Sequence, residues 1–203
     1  MKNQVSNETA QIIYSLYGNG RQNKAVLASL RSAKSMHSLK AQSAWPIIMT
    51  YLDDKYLSSD GMTTSAENAV FATLRMYAIH QQGNSDLVFG SRYASDKDKK
   101  GIGLFNALGQ LNIASDSATA LANRVEVVLS ATNFGAVINA LTHLVQILKG
   151  SKLRFTIDYA NLAQELYRFQ QSYEQANEVR MLWGQSFYRL NKPVEIEGEN
   201  SND

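Results

Sequence analysis

Cysteine is absent from the sequence, and proline occurs only twice, at Pro46 and Pro193. The first absence excludes disulfides, thiolate zinc sites, iron–sulfur clusters and a cysteine nucleophile, and fits a reducing cytoplasm. The second leaves long segments without a residue that breaks a helix. Reactive groups are also sparse. The three histidines, His37, His80 and His143, form no i, i+4 pair and no HExxH. On a helical wheel His143 falls opposite the Val137/Leu141/Leu148 stripe, the place of a solvated side chain. Asp53 and Asp54 are adjacent, so on a helix they diverge by about 100° and do not form an acid/base dyad. Gly101-Ile102-Gly103-Leu104-Phe105-Asn106 begins like a dinucleotide fingerprint, but asparagine stands at the third glycine and no strand precedes it. No P-loop or acyl-transfer motif occurs. Binding is expected rather than catalysis, with no cofactor and no metal.

Long hydrophobic runs are missing too. Val127 to Leu148 carries no formal charge, but Ser130, Thr132, Asn133, Asn139, Thr142, His143 and Gln146 interrupt it. It reads as the end of one helix and most of another, not as a membrane span. The N-terminal residues show no apolar core of a signal peptide, so the expected location is cytoplasmic.

What is present is helical periodicity. With 203 residues, 44% of them apolar, the chain can bury one sizeable core. The pattern predicts an all-α bundle of about eight helices, with N- and C-terminal helical portions in one body over residues 1–190. Helices are expected near 7–17, 21–34, from Ser43 with Pro46 in the first turn, and after the capping box Thr64-Ser65-Ala66-Glu67. A long polar connection over 83–101 carries Lys97, Lys99 and Lys100 and leads into a short helix ending near Leu111. Residues 112–190 read as a four-helix antiparallel bundle. Its helix starts are expected at Ser115 or Asp116, at Asn133, at Thr156, and at Ser172 with Gln175. Residues 191–203 read as an acidic, frayed tail.

Charge is distributed unevenly. The net +2 combines −4 from Glu195, Glu197, Glu199 and Asp203 with +6 over residues 1–194. The first 45 residues hold six cations against Glu8 alone. Such asymmetry points to a polyanion or an acidic protein surface. Candidate phosphate contacts are Lys99 and Lys100 on the loop, and Arg31 with Lys34, one helical turn apart in the expected helix. Arg124 and Arg168 lie off the centres of their apolar stripes, where the alternative is pairing with Asp158 or Glu165. In the last helix Arg180 and Arg189 flank a Trp183/Phe187 seam. Met181 and Tyr188 fall on the far side, seven residues apart, and are the candidate protein interface. For every cation the plain alternative is a solvated side chain or a weak surface ion pair.

Several segments, in order, resemble the CasB family, the small helical subunits of the type I-E CRISPR surveillance complex called Cascade. They are Leu30-Arg31-Ser32-Ala33, Trp45-Pro46, Tyr77-Ala78-Ile79-His80-Gln81-Gln82, and Gly101-Ile102-Gly103-Leu104. Arg124 to Leu129, Leu141 to Leu148, Asp158-Tyr159, Leu162, Leu166 and Arg168 follow, then Val179 to Trp183 and Phe187-Tyr188. The resemblance implies a non-catalytic subunit that contacts the backbone and large subunits and a second copy of itself. It also implies contact with the guide RNA–target DNA hybrid and a hold on the displaced single-stranded DNA, with no membrane partner. Relatives carry extra arginines around the end of the Arg124 helix, where this chain has Ser130, Thr132, Asn133 and Thr142. That departure moves expected phosphate contact toward Lys99, Lys100, Arg154 and Arg168. The alternative is a helical protein–protein adaptor of another assembly, without direct nucleic-acid contact.

Overall fold

A computed structural model describes residues 3–96, 100–115 and 117–191. Nine α-helices lie among them: α1 (Gln4–Tyr17), α2 (Lys24–Ser32), α3 (Trp45–Tyr51), α4 (Ser65–Gln81), α5 (Leu104–Ile113), α6 (Ala118–Ser130), α7 (Phe134–Gly150), α8 (Tyr159–Phe169) and α9 (Tyr173–Tyr188). The all-α expectation is met. No named strand lies among the described residues, only isolated bridges around Ile157 and Ser91. No described helix is long and apolar enough to cross a membrane.

The organising element is α4. Its residues are small or apolar at nearly every helical angle, and fourteen of its seventeen are buried. A helix without a polar stripe must be enclosed, and α1, α2, α3, α7 and α8 surround this one. The capping box at its start is real: Thr64 accepts from the Glu67 amide, and the Glu67 carboxylate accepts from the Thr64 amide at 2.8 Å.

Three side-chain contacts set the direction of its neighbours. Gln170, after α8, donates to the Ser65 carbonyl at 2.9 Å, while Tyr159 at the start of α8 meets His80 at 3.0 Å, so α8 runs antiparallel to α4. Arg75 donates to Thr142 Oγ1 and Lys149 to Gln82 Oε1, so α7 runs parallel to it. The C-terminal ends of α4 and α7 therefore finish at the same end of the molecule. The Gln170 contact marks the other end, a helix length of about 25 Å away. Within residues 112–190, α8 packs mainly on α1 and α4, besides α9.

Local chemistry moved several boundaries. α1 ends where expected, with Gly18 in the left-handed region at φ 55°. α2 spans only Lys24–Ser32, because Asn23 caps it and Ala33 turns extended at ψ 130°. Lys34 thus lies beyond the helix, and it does not share a helical face with Arg31. α6 starts at Ala118 behind Ser117, which makes no side-chain cap bond, and Asp116 lies outside the described residues. Asn133 caps α7 and Ser172 caps α9 as expected. The helix expected from Thr156 begins at Tyr159, since Asp158 is its cap.

The polar connection before α5 is tied down at its base. Gly90 N–H donates to the Ile157 carbonyl, Ile102 N–H to Thr156, and Asp158 N–H to Ile102. Asp158 also accepts from the backbone and Nε of Arg92 at 2.9 and 3.3 Å. Gly101 is required here: a Cβ would stand 1.9 Å from the Gly90 carbonyl oxygen.

Candidate nucleic-acid interface

Cations gather where α2, α4 and α7 finish. Arg31 lies in the last turn of α2 and Lys149 in the last turn of α7. Helix C-termini favour positive charge, which offsets part of the mutual repulsion. Arg31 Nη1 donates to the Ala78 carbonyl of α4 at 3.4 Å, and Lys149 Nζ to Gln82 Oε1 at 3.1 Å. Arg154 Nη1 reaches Asn84 Oδ1 at 3.0 Å, and the Asn84 amide donates to the His80 carbonyl at 2.8 Å. The turn 82–84 is thus a neutral polar bracket holding Lys149 and Arg154, with Arg31 held beside it by the end of α4.

Two hollows meet at that bracket. A cleft of about 580 Å³ is lined by His80, Asn84, Lys149, Lys152 and Arg154 among others, with Asp86 its one carboxylate. A smaller one of about 190 Å³ is lined by Gln22, Lys24, Leu27 and Arg31, and shares Gln82 and Gly83 with the first. Five cations and one acid line the joined surface. Burial and the nearby Arg31 charge lower the Lys149 ammonium from its ordinary value. Burial, and then the Lys149 charge, push His80 down to about 4, so at neutral pH it is an uncharged wall of the cleft. Lys24, Lys152 and Arg154 are exposed. Such a surface can hold an anion, phosphate groups included, without reading sequence.

Lys100 is exposed beside this region. It precedes Ile102 by two residues, Ile102 bonds Thr156, and Thr156 follows Arg154 by two. Its backbone is therefore within about 20 Å of that of Arg154. Lys99 lies outside the described residues.

Arg168, Arg180 and Arg124 lie elsewhere, so the cations form no single track. Arg168 pairs with Glu178 at 2.6 Å. Arg180 donates to the Ala131 carbonyl at 2.9 Å and to Asn177, and stands 5.7 Å over the Phe169 ring. Both sit toward the end of α8 marked by Gln170, about one α4 length from the cleft. Arg124 bonds the Ala120 carbonyl of its own helix at 3.0 Å and borders an apolar groove between α6 and α7. Asp158 and Glu165, the expected alternative partners of Arg124 or Arg168, are both approached by Arg92 instead. Lys34 and Arg189 are exposed. Met181 and Tyr188 do face outward, with 62% and 42% of their surface accessible, and Leu182 and Leu190 extend that apolar patch.

Sequence reasoning missed Lys24, Lys149 and Lys152 as members of the cluster. A signal existed: Lys149, Lys152 and Arg154 fall within six residues around Gly150, the end of a helix. No group of three or more metal-ligating side chains occurs among the described residues.

Fold and site together define the class: an all-helical protein with a basic cleft where three of its helices end. The chain belongs to the family of CRISPR-associated protein Cse2, whose model matches residues 26–188. It is similar to the crystal structure of CasB from Thermobifida fusca, at 27% identity over 93% of this chain and 98% of that one, with a TM-score of 0.66. It also shares its fold with a chain of a CRISPR RNA-guided surveillance complex, at 16% identity over 92% of this chain and 94% of that one, with a TM-score of 0.68. No curated protein sequence matches it significantly.

Proposed function

We propose that the chain is a non-catalytic subunit of a CRISPR RNA-guided surveillance complex, working in the cytoplasm, and that its basic cleft holds the DNA strand displaced when guide RNA pairs with its target. Family membership and the similar chain of a surveillance complex support the first part. The observation that carries the second is the joining of Arg31, Lys149, Lys152 and Arg154 around a neutral bracket, with Asp86 alone among the lining acids. The energetics fit. Exchange of DNA pairs for RNA–DNA pairs is nearly balanced, so a few phosphate contacts on the freed strand tip it. The exposed Met181, Leu182 and Tyr188 on α9 are assigned to protein contact, with other subunits or a second copy. The body over 1–190 acts as one unit in this role.

The test is charge reversal within the assembled complex. Lys149→Glu with Arg154→Glu should weaken the open-strand state and make the salt slope shallower by about 0.7 for each phosphate that is no longer neutralised. Arg168→Glu, remote from the cleft, should leave both unchanged. If the double variant assembles normally and its R-loop stability and salt dependence match the parent, the cleft does not hold the strand. If assembly itself fails, the adaptor role is the better account.

A further inference from the structure

We infer that the basic cleft contains a phosphate subsite in which the His80 ring donates a hydrogen bond from Nε2, with Lys149 and Arg154 supplying the charge. This rests on the cleft reading above, and it adds to that surface a donor that carries no charge. His80 is only 5% exposed, yet it lines the cleft together with Lys149 and Arg154. Its Nδ1 stands 3.0 Å from the Tyr159 hydroxyl, and that hydroxyl has no other hydrogen-bond partner among the described residues. Tyr159 is fully enclosed. A buried phenol gives its proton to an acceptor, so Tyr159 donates to Nδ1 and the ring's own proton stands on Nε2. Burial keeps both groups in those forms at neutral pH, raising the phenol well above its ordinary value and pushing the imidazole down to about 4. Nε2 bonds to no described residue, and it is not one of the enclosed polar atoms left without a partner. It therefore keeps contact with solvent, and the cleft is the hollow that this residue lines.

The groups around that N–H suit an oxyanion. Lys149 gives one ammonium proton to Gln82, and Arg154 gives Nη1 to Asn84, so each keeps further donors for a ligand. Asn84 is occupied by Arg154 and by the His80 carbonyl, and Ser151 Oγ by the Leu148 and Leu153 carbonyls. Asp86 is the one carboxylate of the lining. A neutral N–H beside two cations selects a group that only accepts hydrogen bonds, and a phosphate presents several such oxygens. The two kinds of donor act differently. Cations draw in any anion and weaken in salt, whereas a neutral N–H needs an oxygen at one place and releases no counterion. Tyr159 fixes the ring from one side, and the Asn84 bond fixes the His80 backbone, so the donor is set before a ligand arrives. Tyr159 is thereby a positioning residue, acting through His80.

The test is NMR on the full chain at pH 7, following the two ring nitrogens of His80. In the free protein the proton should reside on Nε2, and Tyr159→Phe should move the ring toward the other tautomer. A proton on Nδ1 in the parent overturns the inference. Inorganic phosphate, and separately oligothymidylate without a terminal phosphate, should shift the Nε2 signal and raise the His80 pKa, because a bound anion favours the charged ring. His80→Phe should weaken both ligands about tenfold with the salt slope unchanged, and His80→Gln, which keeps an N–H donor, should recover most of that loss. Lys149→Glu should change the slope instead. If oligothymidylate binds while the His80 signals stay fixed, the strand-holding reading stands and the subsite is overturned. If phosphate shifts Nε2 but oligothymidylate does not bind, the subsite serves a free phosphate and the strand-holding reading falls.

Discussion

Partial burial, and then the charge of Arg31 across the end of α4, lower the Lys149 ammonium from its ordinary value. Neither cation has a carboxylate partner among the described residues; their hydrogen bonds go to the Ala78 carbonyl and the Gln82 amide oxygen. Replacing Arg31 with Ala should raise the Lys149 pKa, read from its side-chain NMR titration. An unchanged titration would mean that the two charges do not share a surface.

His80 makes stability pH-dependent. Its folded pKa of about 4 lies below its ordinary 6.5. Between those values the unfolded chain binds a proton that the folded chain does not, so stability falls as pH drops through that window. From neutral pH to pH 5 the loss should be about 2 kcal/mol, measured by denaturant unfolding. His80→Phe should flatten that slope whatever it does to stability at pH 7. An equal slope in the variant would assign the acid sensitivity to other groups.

Gly101→Ala should destabilise by about 1–3 kcal/mol, because the new methyl meets the Gly90 carbonyl rather than a movable side chain. Limited proteolysis should then cut the 83–103 connection faster than α4 or α7. A normal melting temperature and cutting rate would show that the Gly90–Gly101 approach leaves room for a methyl group.

Trp183→Phe should keep the stacking against Phe105 and Phe169 but remove the 2.7 Å bond to Glu165 Oε2. Burial already pushes Glu165 above the usual carboxylate range, and the Trp183 bond is the largest influence opposing it. The expected loss is about 1–3 kcal/mol, and it should shrink as the pH is lowered, because a protonated carboxyl is cheaper to bury. A pH-independent loss would point to packing alone.

Arg168→Ala should lower stability by less than about 1 kcal/mol, since its partner Glu178 is well exposed. Single-strand binding should be unaffected at any salt concentration.

Much of this was legible in the one-dimensional pattern. The stripe Val137, Leu141, Leu144, Val145 and Leu148 became the buried face of α7, and the Thr64 and Asn133 caps lie where hydroxyl and amide side chains meet free amides. The family, too, showed in the order of short segments. The anion surface was only half visible. Arg31 and Arg154 were expected, but Lys149 and Lys152 join them because α4 and α7 run parallel and end together. Helical spacing on one segment says nothing about the direction of its neighbour.

The chain's own order of residues determined the helical class, the capped helix starts at Thr64, Asn133 and Ser172, the outward face of Met181 and Tyr188, and the want of reactive groups. Those features depend on local propensity, capping and periodic burial, all short in range. Tertiary structure alone decided which cations share a surface. Arg168 and Arg180 are drawn to Glu178, Asn177 and Phe169 at one end, and Arg31, Lys149 and Arg154 to the end of α4 and the Gln82–Asn84 turn at the other. Charges act across space rather than along the chain, so residues from opposite ends of the sequence become one site while near neighbours in sequence do not.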